Sequence, residues 1–238
     1  MSFKMSVTKV FLLLLILLIV YFTQGKGKSL IVHKATGILA NAELISFQSL
    51  QAQIDSTTIE EKATRLSQNV ELEDSASRST FFKSFPASFR EFKMIFGYYG
   101  KLDEFGLPEN FGLLYESSLT YIDAFFNGLD VSDETLAHRV IDISSESEWQ
   151  ADGVSIFQDH LRVFTEKNLE IIVKVLKGRD EKQIREFWRF CYAGPHPESH
   201  RVFFEKVQSR VVSINPYIGS LLREEYLELL DEVDNHGR

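Results

Sequence analysis

The sequence predicts an all-α fold: a single globular domain of six to eight antiparallel helices behind an N-terminal apolar leader. Three observations carry this. Apolar residues recur at helical spacing in several segments, most clearly Ile184, Phe187, Trp188 and Cys191 at i, i+3, i+4, i+7. The segments are punctuated by capping and stop residues with short turns between them. No segment sustains the apolar–polar alternation of a half-buried strand.

Three parts are expected: residues 1–25 a signal peptide or short membrane anchor, 26–80 a tether with one or two helical segments, and 81–238 the Phe-rich helical domain. In the leader, Lys4 and Lys9 precede an unbroken apolar run, Val10–Phe22, of 13 residues. A membrane span needs about 20 residues and a secretory core about 7–15, so length favours a signal peptide. Lys26 and Lys28 follow at once, which keeps a short uncleaved anchor with snorkelling lysines open. No cysteine follows the run, which excludes a lipoprotein anchor.

Within the tether, Leu39–Ile54 has weak helical spacing, and Thr58-Ile-Glu-Glu61 is a capping-box pattern opening a helix to about Leu72. Glu71–Thr80 is polar and Ser-rich and reads as a linker. From Phe81 on, Pro86 suits a first helical turn, Phe89, Phe92 and Phe96 share a face, and Gly97 stops it. Tyr98–Pro108 reads as an aromatic, glycine-rich loop. A helix is expected from about Glu109 to Asn127. Ser132 or Asp133 caps the next, which holds Leu136, Val140 and Ile143. Val154, Phe157, Leu161 and Phe164 mark a helix with Trp149 at or before its start. Leu169–Leu176 reads equally as a short helix or a buried strand. Asp180 caps the helix of Trp188, which should bury Phe187 and Trp188 and end at Gly194 with a positive φ. Ser199 is placed to cap a helix burying Phe203, Val207 and Val211. Asn215-Pro216 opens the last helix, through Ile218, Leu221, Leu222, Tyr226, Leu229 and Leu230.

Composition bounds the function. The chain has 238 residues, 20 of them phenylalanine, with a net charge of −8, and the part beyond the leader is more acidic still. A nucleic-acid binder needs a concentrated basic surface; no such run exists, and nucleic acid is not an expected partner. One cysteine, Cys191, allows no internal disulfide, so the fold must rest on burial.

Three stretches are candidates for chemistry. Glu186–His200 joins two helices through Gly194-Pro195-His196-Pro197 and carries Cys191, His196 and His200. Imidazole and thiolate are the favoured zinc ligands, so these three are the metal candidates. A stiff turn between helices explains the same residues without metal, and no cofactor is expected. Ser144–Asp152 offers Glu146, Glu148 and Asp152 beside Trp149; acidic groups there serve either acid–base chemistry or the charging of a helix N-terminus. His196, His200, Glu148 and Asp152 are thus the catalytic candidates. Asp159-His160 resembles a dyad, but neighbours on a helix point about 100° apart. Tyr98, Tyr99 and Phe105 are the binding candidates, because loop aromatics are enriched at interfaces.

No motif with mechanistic geometry is present. The expected function is therefore binding: an exported acidic helical protein of the bacterial envelope, periplasmic or held at the inner membrane by an uncleaved leader. It would act on a protein partner as an inhibitor or immunity-type protein does. The alternative is a hydrolase, with or without metal, using the His196/His200 turn or the Glu146–Asp152 carboxylates.

Overall fold

The computed structural model describes residues 58–104 and 106–236. The leader, the Leu39–Ile54 segment and Phe105 lie outside the described residues. The described chain is predominantly helical, with one small antiparallel hairpin. Helix α1 spans residues 58–69, followed by α2 (Ser75–Ser84) and α3 (Phe89–Phe96). The hairpin is β1 (Tyr98–Leu102) and β2 (Pro108–Phe111). A 3₁₀ turn, Tyr115–Ser117, leads into α4 (Ser118–Asn127). Then come α5 (Asp133–Ser144), α6 (Gly153–Lys167), α7 (Leu169–Leu176) and α8 (Glu181–Tyr192). A second 3₁₀ turn, Pro197–His200, precedes α9 (Arg201–Ile214) and α10 (Pro216–His236). None of the described helices is long and apolar enough to cross a membrane.

Local chemistry accounts for the starts. Ser88, Ser132 and Asp180 each accept a bond from the backbone three residues on, filling an orphan donor at the N-terminus of α3, α5 and α8. Asp74 does the same for α2, through the Ser77 N–H at 2.7 Å, so the Ser-rich stretch Glu71–Thr80, read as a linker, is helical from Ser75 on. Pro86 lies ahead of α3 rather than in its first turn. Leu169–Leu176 is a helix and not a strand. Ser199 does not cap α9: it sits inside the 3₁₀ turn, and its hydroxyl donates to the His196 carbonyl at 2.7 Å.

The largest departure lies between Gly97 and Ser118, where a loop and then a helix from Glu109 were expected. The chain instead leaves α3, runs out along β1, and returns along β2 in antiparallel register, Tyr98 opposite Phe111 and Tyr99 opposite Asn110. On its return it caps α3. The Leu113 and Leu114 N–H groups donate to the Met94 and Ile95 carbonyls at 3.1 and 2.7 Å, filling acceptors that a helix C-terminus leaves open. Gly112 permits the approach: a Cβ there would stand 2.6 Å from the Ile95 carbonyl.

Phenylalanines build the core. Phe85 stacks on Phe125 at 3.8 Å, and Phe92 meets Phe96 and Phe157 edge-on at 5.3 and 4.9 Å. Ile59 and Leu66 of α1 belong to the same buried cluster as Phe81 and Phe85 of α2. The packed unit therefore begins ahead of Phe81, in segments assigned to the tether. Arg139 of α5 ties the end of α2 down by donating to the Phe85 and Pro86 carbonyls. Beyond the phenylalanines, α8 lies along α10 and α10 along α9, with Phe204 stacked on Tyr226 at 4.0 Å.

Candidate functional site

The segment between α5 and α6, Ser145–Asp152, is held from several sides. Glu146 and Asp152 have positive φ, 56° and 59°, a conformation that non-glycine residues adopt at a cost of about 1–3 kcal/mol when the surroundings hold them there. Those surroundings are visible. Lys93 of α3 pairs with Glu148 at 2.7 Å, and Lys182 of α8 with Glu146 at 3.4 Å. The Tyr115 hydroxyl donates to Asp152, while Tyr115 itself packs on Phe111 of the hairpin at 4.7 Å. Burial, with that carboxylate beside it, pushes the Tyr115 phenol up to about 12. Gln150 makes the fourth tie, accepting from the Tyr98 N–H at 3.3 Å and donating to the Tyr98 carbonyl at 3.2 Å.

This clamp presents Trp149, which is 39% exposed, in the lining of two clefts. On one side lies a cleft of about 270 Å³ formed by Lys93, Tyr98, Tyr99, Gly100, Leu102 and Glu148. On the other, one of about 290 Å³ is lined by Ser155, Asp159, Arg162, Gly194, His196 and His200. Gln158 and Arg162 form the floor of the second by capping α8. Gln158 donates to the Phe190 and Ala193 carbonyls at 2.6 and 3.2 Å, and Arg162 to the Cys191 carbonyl at 2.9 Å. The three stretches singled out in the sequence thus converge on one tryptophan.

The chain resembles no protein-family model, no curated protein and no solved structure to which it has been compared. Function must be argued from the site.

The individual candidates fare differently. Cys191 is fully buried on the core face of α8, and desolvation pushes its thiol up to about 12. Cys191 is enclosed in the core whereas His196 is exposed, 3.3 Å from Glu198, so the two side chains face different surroundings. Among the described residues no three His, Cys, Asp or Glu side chains are placed to hold a metal. Glu148 and Asp152 are each bound to a different neighbour, Lys93 and Tyr115. Asp152 heads α6 but caps it with no side-chain bond. Asp159 pairs with Arg162 one turn on, and His160 stacks on Phe126 at 5.4 Å; the two are not a dyad. His200 is half-buried, and burial lowers its pKa, with Arg162 adding to the effect. Both hydroxyls of that cleft are turned to backbone, Ser155 to the Asp152 carbonyl and Ser199 to that of His196.

Tyr98 and Tyr99 are half-buried along β1. Gly194 follows the Ala193 cap and has the expected positive φ, 158°. It lies under the Trp149 ring, where an added Cβ would make ordinary contact at 3.4 Å. Sequence reasoning missed Leu102, Leu107, Phe111 and Leu113. These four large apolar side chains on the hairpin and its exit are 50–60% exposed. The missed signal was apolar residues spaced among glycines and acids with no helical partner.

Proposed function

We propose that this chain acts by binding a protein partner, through the hairpin and the cleft it shares with Trp149. The observation that supports this best is the set of exposed side chains Leu102, Leu107, Phe111 and Leu113 on the hairpin and its exit. Single exposed apolar residues are ordinary, but several along one short stretch mark an interaction surface. The adjoining tyrosines and tryptophan are the residue types that anchor interfaces. The acidic balance of the chain favours encounter with a basic partner. With the leader of Lys4, Lys9 and Val10–Phe22, the setting is an exported or membrane-anchored protein of the envelope, of the inhibitor or immunity kind.

The test is affinity capture from an envelope fraction with wild type and with Leu107→Asp/Phe111→Asp. Both side chains are exposed, so the variant should keep its helical circular dichroism and lose the stoichiometric partner. Equal capture by both would overturn the reading. The hydrolase alternative draws on one observation, a half-buried His200 whose pKa burial lowers, lining a cleft. Turnover of a substrate panel that disappears in His200→Ala would favour it instead.

A further inference from the structure

We infer that the cleft between β1 and Trp149 takes a short, extended, basic segment of the protein partner, laid along the outer edge of β1. This rests on the binding reading above and adds to it the chemistry and geometry of the occupant.

At Tyr98 the edge of β1 that faces away from β2 is turned into the cleft, ahead of the bulge at Gly100. Tyr98 shows this, because its N–H and its carbonyl are both taken by the side-chain amide of Gln150, at 3.3 and 3.2 Å. One acceptor and one donor offered to the same residue is what a paired residue offers in an antiparallel ladder. Gln150 therefore stands where the first residue of a neighbouring strand would stand. Beyond it the cleft continues along Tyr99, Gly100 and Leu102, with Trp149 opposite. Addition of an extended peptide to a sheet edge draws affinity from the main chain and specificity from pockets for alternate side chains.

Size and charge narrow the occupant. About 270 Å³ lies just below the range of pockets that enclose a small-molecule ligand, about 300–1,000 Å³, and suits the side chains of a peptide better. The hairpin and the turn after it carry Asp103, Glu104, Glu109 and Glu116 against Lys101 as their only basic residue, and Lys93 at the cleft is matched by Glu148. A segment bearing arginine or lysine between apolar residues meets opposite charge on the hairpin beside the cleft, and an acidic one meets repulsion. The bulge between Tyr99 and Leu102 and the charge of Lys101 blunt the edge against a long flat strand, so the segment is short and a second copy of the hairpin is disfavoured.

The test uses the full chain and a short labelled peptide of alternating leucine and arginine. Three controls accompany it: the same peptide N-methylated at alternate residues, an alternating leucine–glutamate peptide, and the same composition rearranged to helical spacing. Trp188 is buried and Trp149 exposed, so binding should shift the emission of Trp149 to the blue. Trp149→Ala and Tyr99→Ala, checked by melting, should each weaken the parent peptide at least tenfold, as should N-methylation; the acidic peptide should not bind. No binding by the parent peptide overturns the inference. So does equal binding of the methylated, acidic or helical peptides, or indifference to Trp149→Ala. If Leu107→Asp/Phe111→Asp abolishes partner capture while Trp149→Ala and Tyr99→Ala leave it intact, the binding surface stands and this mode of occupancy falls.

Discussion

Trp188 and Trp149 show how position decides what one residue type does. Trp188 lies on the apolar stripe of α8 and is fully buried, in edge contact with Phe187 at 4.8 Å. Trp188→Ala should cost about 3–5 kcal/mol, the range for emptying a large aromatic site, read as a lower urea midpoint with an unchanged slope. Its indole N–H meets no protein acceptor among the described residues, so Trp188→Phe should cost distinctly less than Trp188→Ala. His200 makes a second residue-level case. Burial and Arg162 hold its pKa below the usual 6.5, against the opposing pull of Asp159 and Glu198. The unfolded chain then binds the proton more readily than the folded one, so stability rises with pH through this window. The contribution is fully present above about pH 6.5 and is lost as the pH falls towards the folded value. Melting curves between pH 7 and pH 5 should show a smaller drop for His200→Gln than for wild type. An equal drop in both would show that other groups govern the acid limb.

At the scale of elements, the pairing of α8 with α10 is electrostatic as well as apolar. Arg185 meets Glu181, Glu224 and the buried Glu225 at 2.9, 2.7 and 3.0 Å, and these carboxylates raise its pKa further. Exposed pairs contribute little, but Arg185→Ala leaves the Glu225 carboxylate buried without its closest partner. The expected cost is about 1–3 kcal/mol, measurable by urea denaturation, whereas Lys174→Ala, which breaks the exposed pair with Glu134, should change stability by about 0–1 kcal/mol. Helices such as α8 were legible in the sequence because each carries its own period and cap: Asp180 and the stripe from Ile184 to Cys191 are local signals. The hairpin was not legible. Its strands are mostly exposed, so no alternating burial marks them, and what holds Leu113 and Leu114 out of a helix is a bond to carbonyls of α3. The candidate site was legible only in pieces. Tyr98, Glu148 and His196 each stood out, but their meeting depends on contacts such as Gln150 to Tyr98, 52 residues apart, which no local pattern encodes.

At the scale of the molecule, the question is where the folding unit begins. The sequence places the start near Phe81, because Glu71–Thr80 is polar. The core places it at α1. Ile59 and Leu66 are buried in the phenylalanine cluster, Lys62 pairs with Glu91 of α3 at 2.6 Å, and the Tyr121 hydroxyl donates to Ser67 at 3.2 Å. Burying one such aliphatic side chain contributes about 1.5–3 kcal/mol, so losing both removes about 3–6 kcal/mol. Against a total of about 5–15 kcal/mol for a domain, that loss approaches the whole margin. A chain begun at Ser56 keeps every core residue named above and should give a helical circular dichroism spectrum and one cooperative urea transition. A chain begun at Ser79 forfeits α1 and the Asp74 cap of α2, uncovers Phe81, and should unfold at much lower urea or fail to fold. If the two melt alike, α1 is an appendage rather than part of the core, and the boundary returns to Phe81.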